Sequence, residues 1–219
     1  MRKLLLIRPE PGLSASAVHA HAMGLEVTCC PLFLVEPVAW EAPDPAQFDG
    51  LMLTSANAVR HGGPQLEFFK TLPVHAVGAA TAAAAREAGF GVETIGAGDV
   101  VDLLGDIPPG LRLLHLAGED HRSTGDPRVD RRIVYRSATI ADPQLPPLEN
   151  LVVAVHSPRA GQRLAELAKA HDATSIAAIS TAAADASGSG WERVEVAGEP
   201  NDNSLLALAA RLCHTSSPK

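Results

Sequence analysis

The stretch from Phe48 to Arg60 reads FDGLMLTSANAVR, and the stretch from Glu149 to Gly161 reads ENLVVAVHSPRAG. Each places a short apolar run, typical of a buried strand, directly before small and hydroxyl-bearing residues at which a helix can begin. Strands and helices that alternate in this way predict an α/β protein with parallel sheets. The two stretches also align with each other, since Ser55 and Ser157 occupy the same place in each.

The offset of 102 residues between these serines recurs along the chain. VHAVGAATAAAAREAG at 74–89 resembles SIAAISTAAADASGSG at 175–190. Further pairs share the offset: Val77 and Ile179, Leu103-Leu104 and Leu205-Leu206, Val27 and Val129. Alanine-rich tracts make any single match weak, and all α/β units look somewhat alike, but a shared offset favours an internal duplication. The sequence therefore predicts two similar domains.

Apolar runs and breakers predict the individual elements. We expect strands at Leu4–Ile7, Glu26–Cys30, Phe48–Leu53, Val74–Val77 and Arg132–Tyr135. We expect helices at Ser14–Met23 and Thr81–Ala88, each followed by a glycine that ends it, Gly24 and Gly89.

Composition excludes several classes of protein. The 219 residues are 46% apolar and carry a net charge of −7, which argues against nonspecific nucleic-acid binding. The apolar runs are too short for a membrane helix, and the N-terminus lacks the apolar region of a secretory signal. Three cysteines, of which Cys29 and Cys30 are adjacent, do not predict a disulfide framework. We therefore expect a cytoplasmic protein.

The common metal and cofactor motifs are not found. His19 and His21 are two residues apart, so on a helix they point in different directions and cannot share a metal. There is no P-loop and no GxSxG nucleophile elbow. Gly96–Val101 lacks the third glycine of a dinucleotide-binding turn and does not lead cleanly from a strand into a helix. We predict no metal site and no cofactor.

Four turns rich in small and hydroxyl-bearing residues follow predicted strands. They are Thr54-Ser55-Ala56-Asn57, Gly78-Ala79-Ala80-Thr81, His156-Ser157-Pro158-Arg159 and Ser180-Thr181-Ala182. Each should lie at the carboxyl edge of a parallel sheet, where α/β proteins bind ligands. The hydroxyls can simply cap the following helices. Alternatively, the four turns in two related domains line a cleft with helix N-termini that bind carboxylates or phosphates.

Arginines and one tyrosine lie near these turns. The arginines, each of which can also be an ordinary solvated residue, are Arg8, Arg60, Arg136, Arg159 and Arg163. All five can make charge-assisted contacts with an anionic ligand, and Arg8 and Arg159 are our candidates for binding the substrate. Tyr135, the single tyrosine, ends its predicted strand and has a phenolic O–H that can donate to a ligand. Packing is the alternative role for this tyrosine.

Five motifs, taken in order, resemble the uroporphyrinogen-III synthase family over nearly the whole chain. They are LLLIRPEPG, TSANAVR, VGAATAAAAREAG, the strand ending VYR, and HSPRAG. The resemblance implies a bilobed fold of two flavodoxin-like α/β domains joined by a two-strand linker. In the family the first strand and helix belong to the C-terminal half. This implies a discontinuous domain of residues 1–35 with 138–219, and an inserted domain of residues 36–137.

The resemblance also implies the reaction, which is the cyclisation of hydroxymethylbilane to uroporphyrinogen III. The substrate is a linear tetrapyrrole with eight carboxylates; it loses water, and its last pyrrole ring is inverted through a spiro intermediate. The family uses neither cofactor nor metal. By this resemblance Tyr135 assists departure of the hydroxyl, and Thr54, Ser55, Gly78, Thr81, Ser157 and Pro158 are carboxylate-binding positions of the cleft. All of them except the proline have a backbone N–H group that can donate to a carboxylate. We expect a monomer, with the enzyme that forms hydroxymethylbilane as a possible partner.

Two stretches depart from the family pattern. Ser180-Thr181-Ala182-Ala183 stands where the family usually has Gly-Pro-Thr-Thr. Residues 119–131 stand where the family has a full helix, which Gly125 and Pro127 disfavour here. Two alternatives to an active synthase therefore stay open: an inactive relative, or a cytoplasmic bilobed sensor that binds an anion without chemistry.

Overall fold

The computed structural model describes residues 1–96, 99–120, 124–169 and 172–215. It divides into two compact units, of which unit 1 comprises Met1–Leu34 with Thr139–Lys219 and unit 2 comprises Val35–Ala138. Among the described residues, no helix has both the length and the apolar character needed to span a membrane.

Short strands and helices alternate along most of the chain. The strands are β1 (Lys3–Leu6), β2 (Val27–Cys29), β3 (Phe33–Pro37), β4 (Gly50–Leu53), β5 (Val74–Val77), β6 (Val92–Gly96), β7 (Leu113–Gly118), β8 (Val129–Thr139), β9 (Leu151–Val155), β10 (Ser175–Ala178) and β11 (Arg193–Val196). The helices are α1 (Gly12–Ala22), α2 (Ala56–His61), α3 (Ala79–Glu87), α4 (Val100–Asp106), α5 (Pro158–Leu167), α6 (Thr181–Ala186) and α7 (Asp202–His214).

The two sheets have the same strand order once their elements are matched. In unit 1 the order is β11-β10-β9-β1-β2, and in unit 2 it is β6-β5-β4-β7-β8, with β3 added beside β8. The matched neighbours are paired in parallel in both sheets. This agreement confirms the prediction of two similar parallel-sheet units.

Burial on both faces explains the continuous apolar runs. Every residue of β4 and of β9 is buried, as expected where helices cover both faces of a parallel sheet. Alternation along β1 sends side chains to opposite faces. Leu5 packs in the cluster that contains residues of α5 and α6, whereas Leu4 and Leu6 pack with residues of α1 and α7.

Two sequence expectations about local structure are wrong. Tyr135 does not end its strand, because β8 continues to Thr139, with β3 as its neighbour on the side away from β7. Gly96 and Val101 do lie on a strand and a helix that follow each other closely. β6 ends at Gly96, and Asp99 caps α4 through a capping box, while Ala97 and Gly98 lie outside the described residues.

The stretch that the family fills with a helix is non-helical wherever the structure describes it. Glu119, Asp120 and residues 124–131 contain turns, extended backbone and the start of β8. Residues 121–123 lie outside the described residues.

Candidate functional site

The carboxyl ends of neighbouring strands bring the predicted turns together in pairs. In unit 2, β4 pairs with β5, so the turn that begins at Thr54 lies beside the turn that begins at Gly78. In unit 1, β9 pairs with β10, so the turns that begin at His156 and Ser180 are neighbours in the same way. Each unit therefore presents one carboxyl edge with two adjacent turns, which is the ligand-binding position of open α/β sheets.

Three serines of these turns cap helices. Ser55 Oγ accepts a hydrogen bond from Asn57 N at 3.1 Å, Ser157 Oγ from Ala160 N at 3.2 Å, and Ser180 Oγ from Ala183 N at 3.3 Å. Such caps satisfy helix N–H groups that would otherwise lack a partner. The serine hydroxyls therefore have a structural role in the free protein. Ser180 caps its helix although it stands where the family pattern usually has a glycine.

Other members of these turns differ in exposure. Ala56 and Asn57 are partly exposed in the first turn of α2, and the Asn57 Oδ1 atom is buried with no hydrogen-bond partner among the described residues. Pro158 and Thr181 are exposed at the first positions of α5 and α6.

The turn before α3 has no side-chain cap. Gly78 has a φ of +79°, in the region that favours glycine, and no side chain bonds to the helix start. Ala79 and Ala80 are exposed, and the first N–H groups of a helix lack intrahelical partners. Thr81 is only 5% exposed, so its side chain belongs to the core rather than to this edge. The Gly78 N–H already donates to Gly96 O at 3.0 Å, so what this turn can offer an anion is the backbone N–H groups at the start of α3.

A buried histidine contacts the hydroxyl of Thr54. His115 lies on β7 and is fully buried, and its Nε2 atom lies 3.1 Å from Thr54 Oγ1 within hydrogen-bonding distance. β4 and β7 are paired, with Met52 opposite His115. This contact orients the Thr54 hydroxyl at the carboxyl end of β4.

Tyr135 lies against the carboxyl end of β7. It is paired with Gly118, and a Cβ atom on Gly118 would lie 2.7 Å from Tyr135 Cε2 and Cζ. The ring therefore occupies the space that a side chain at Gly118 would fill. The His61 ring lies 6.3 Å away, centroid to centroid. Within the described residues, the Tyr135 hydroxyl makes no hydrogen bond, so it can donate to a ligand.

Arg8 belongs to a polar network in unit 1 that the sequence analysis did not find. Its Nη1 atom donates to Asp202 Oδ1 at 3.0 Å and to Ser16 Oγ at 2.9 Å. Ser16 Oγ and His156 Nε2 both donate to the same Asp202 oxygen at 2.8 Å. Asp202 follows β11 in the same way that the predicted turns follow their strands. This position after a strand is the sequence signal that could have indicated Asp202. The signal is weak because β11 has no apolar run by which the strand could be recognised.

Burial and neighbouring charges define the ionisation of this network. Burial lowers the pKa of His156 below its ordinary value, and the charge of Arg8 lowers it further. Burial alone would raise the pKa of Asp202, but hydrogen bonds from Ser16 and His156 outweigh this and leave its pKa lowered. At neutral pH the network therefore contains a charged arginine, an ionised aspartate and a neutral histidine.

The other arginines have different surroundings. The Arg159 guanidinium lies 4.7 Å from the centre of the Phe33 ring, at a cavity of about 170 Å³ in unit 1. Arg136 pairs with Glu36, and Arg163 pairs with Glu166. Among the residues that the structure describes, no cluster of three His, Cys, Asp or Glu side chains could hold a metal.

Comparison with known proteins identifies the family. The family model described as uroporphyrinogen-III synthase HemD matches residues 14–207. The chain is similar to the solved structure of uroporphyrinogen-III synthetase from Helicobacter pylori 26695, with 18% identity, a TM-score of 0.70, and coverage of 97% of this chain and 100% of that chain. That likeness shows a shared fold.

Two further solved structures are uroporphyrinogen III synthases from the extremely thermophilic bacterium Thermus thermophilus. The wild type is 18% identical with a TM-score of 0.43, and a mutant is 19% identical with a TM-score of 0.48; each match covers 97% of this chain and 98% of that chain. No curated protein matches the chain. Because the family model spans most of its length, the chain belongs to the uroporphyrinogen-III synthase family.

Proposed function

We propose that this protein is an active uroporphyrinogen-III synthase, a hydro-lyase that converts hydroxymethylbilane into uroporphyrinogen III and water. The observation that carries the proposal is the family match over residues 14–207. In the proposed reaction the hydroxyl leaves as water and an azafulvene forms. The last pyrrole ring is inverted through a spiro intermediate before the macrocycle closes.

The described edges suit a catalyst that works by positioning. The substrate closes without enzyme to the uninverted type I isomer, so the protein has to hold one conformer of a flexible octacarboxylate. Aligning reacting groups can supply a large part of a rate enhancement without strong acids or bases. We assign the substrate carboxylates to the two carboxyl edges, by contacts from Arg8, Thr54, Ser55, Ala56, Asn57, Gly78, Thr81, Ser157, Pro158, Arg159, Ser180 and Thr181. For Ser55, Thr81, Ser157 and Ser180 the donors are backbone N–H groups.

Tyr135 is assigned the proton-donating role. Its hydroxyl is not used by another described residue, and its ring is packed against Gly118. A phenol at this place can donate a hydrogen bond to the departing substrate hydroxyl and so assist its loss as water. We further propose that the protein acts as a cytoplasmic monomer and receives its substrate from the enzyme that forms hydroxymethylbilane.

An isomer assay tests the proposal. Hydroxymethylbilane is generated in situ, the purified protein is added, and the oxidised products are separated into type I and type III uroporphyrin. We expect mainly type III product with the protein and type I product without it. Type I product alone from a folded protein would refute the proposal and favour an inactive, anion-binding relative.

A further inference from the structure

The Arg8 guanidinium is held through one of its two terminal nitrogen atoms. The Nη1 atom donates to both Asp202 and Ser16, and Ser16 in turn donates to Asp202. These partners come from α1 and α7, whereas Arg8 follows β1. Since Nη1 is fixed by two acceptors from two helices, the guanidinium plane cannot rotate freely about its last bond.

Gly12 leaves room for the same group because it has no side chain. A Cβ atom at Gly12 would lie 2.5 Å from Arg8 Nε, 2.5 Å from Nη2 and 2.6 Å from Cζ. These distances show that the guanidinium occupies the space that a side chain at Gly12 would fill. Gly12 has an ordinary φ, so the missing side chain, rather than unusual backbone, is what makes this contact possible.

The remaining edge of Arg8 carries two donors without partners. Within the described part of the chain, neither Nε nor Nη2 makes a hydrogen bond, and the side chain is 30% exposed. The Nε and Nη2 atoms of arginine form a fork that matches the two oxygens of a carboxylate. The geometry is therefore that of a receptor with its orientation already fixed.

We propose that Arg8 binds one carboxylate of the substrate through Nε and Nη2, and that Asp202, Ser16 and Gly12 are its positioning residues. The proposal rests on the proposed function, since it names the contact that one of the eight carboxylates makes in unit 1.

The negative charge of Asp202 is compatible with this role. Asp202 is the first residue of the 13-residue helix α7, so the positive end of the helix dipole offsets part of its charge. Its Oδ1 atom also accepts hydrogen bonds from Ser16 and His156. The carboxylate of Asp202 is thus compensated by groups other than Arg8, and the free edge of the guanidinium keeps its affinity for an anion.

Gly12→Ala tests the proposal without removing a charged group. The new Cβ displaces the end of a flexible side chain, and alanine is a better helix former than glycine, so the variant should fold. We expect the KM for hydroxymethylbilane to rise about tenfold or more, with a smaller change in kcat, because an oriented charge-assisted contact is lost. An unchanged KM in Gly12→Ala would overturn the proposal.

A double-mutant cycle separates positioning from a structural role. Arg8→Gln and Asp202→Ala should each raise KM, and Asp202→Ala should add little once Arg8 is replaced. Asp202→Asn, which keeps the Oδ1 acceptor, should restore part of the affinity. Equal effects of Asp202→Ala with and without Arg8 would show that Asp202 acts only on stability.

The matched control is Glu192→Gln. Glu192 pairs with Arg2 at 2.7 Å in the same unit but at the amino edge of the sheet, and both side chains are largely buried. This variant removes a similar ion pair and should lower the thermal midpoint without changing KM. A rise in KM equal to that of Asp202→Ala would contradict the assignment.

A binding measurement distinguishes this inference from the proposed function. Fluorescence titration with uroporphyrin III, an octacarboxylate, reports affinity without turnover. One outcome is that the wild type forms only type I product but binds uroporphyrin III about tenfold more tightly than Gly12→Ala and Arg8→Gln do. That result would support the carboxylate contact of Arg8 and refute the proposed synthase activity. Equal affinity in all three proteins, or no binding by the wild type, would refute the carboxylate contact proposed for Arg8.

Discussion

Replacing Gly118 by alanine should disturb Tyr135, which contributes the three atoms nearest to the new Cβ. The nearest atoms to the new Cβ would be Tyr135 Cε2 and Cζ at 2.7 Å and the hydroxyl oxygen at 2.9 Å, whereas ordinary contacts lie at 3.4–4 Å. Gly118 has no positive φ, so alanine fits its backbone without strain. The predicted effect is therefore a displacement of the phenol.

The size of the effect follows from the overlap. To restore an ordinary contact, the ring has to move by about 1 Å. A misplacement of about 1 Å of a positioned group can lower the rate about 100-fold. Overpacking of this kind also lowers the free energy of unfolding by about 1–3 kcal/mol.

The assay compares kcat for type III formation in the wild type, Gly118→Ala, Tyr135→Phe and the double variant. We expect Gly118→Ala to lower kcat strongly in the wild-type background. It should have almost no further effect beside Tyr135→Phe, because the displaced hydroxyl is already absent. The reasoning is refuted if Gly118→Ala retains the wild-type kcat while remaining folded, or if its effect on kcat is the same in both backgrounds.

Three other predictions concern catalysis and stability. Tyr135→Phe should lower kcat about 100-fold with KM nearly unchanged; native turnover would remove Tyr135 from the mechanism. Gly78→Ala should lower the free energy of unfolding by about 1–2 kcal/mol, since Gly78 has a φ of +79°; an unchanged urea midpoint would contradict this. Burial lowers the pKa of His75 from its ordinary value of 6.5. Below that pH the unfolded state binds more protons, so stability should fall as the pH decreases through 6.5 and into the range of the lowered pKa. His75→Gln should show a weaker decrease in urea unfolding between pH 7.5 and 5.5, and an identical decrease would exclude this histidine.

Much of the fold was predictable because parallel strands buried on both faces require continuous apolar runs. The prediction of Val74–Val77 coincides with β5, and that of Leu4–Ile7 is displaced by one residue from β1. Strand β11 (Arg193–Val196) escaped prediction because three of its four residues are exposed at the sheet edge. An edge strand has no need of the apolar run on which the prediction depended.

The candidate site was predictable only in part. Hydroxyl residues after apolar strands indicated the turns, and three of their serines do cap helices. Asp202 was missed because its role depends on Arg8, which lies 194 residues away in the chain. Gly118 was missed for the same reason, because the need for a glycine there depends on the ring of Tyr135 on a neighbouring strand.

The sequence by itself determined the α/β class, the internal duplication and the turns at the strand ends, because these depend on local periodicity and on repeats that can be compared directly. Only the tertiary structure decided which strands are neighbours, as when β1 lies between β2 and β9, the second of which comes from the C-terminal half of the chain. It also decided which side chains meet. Contacts such as those of Arg8 with Asp202 arise when distant segments pack together, and no local pattern in the chain records them.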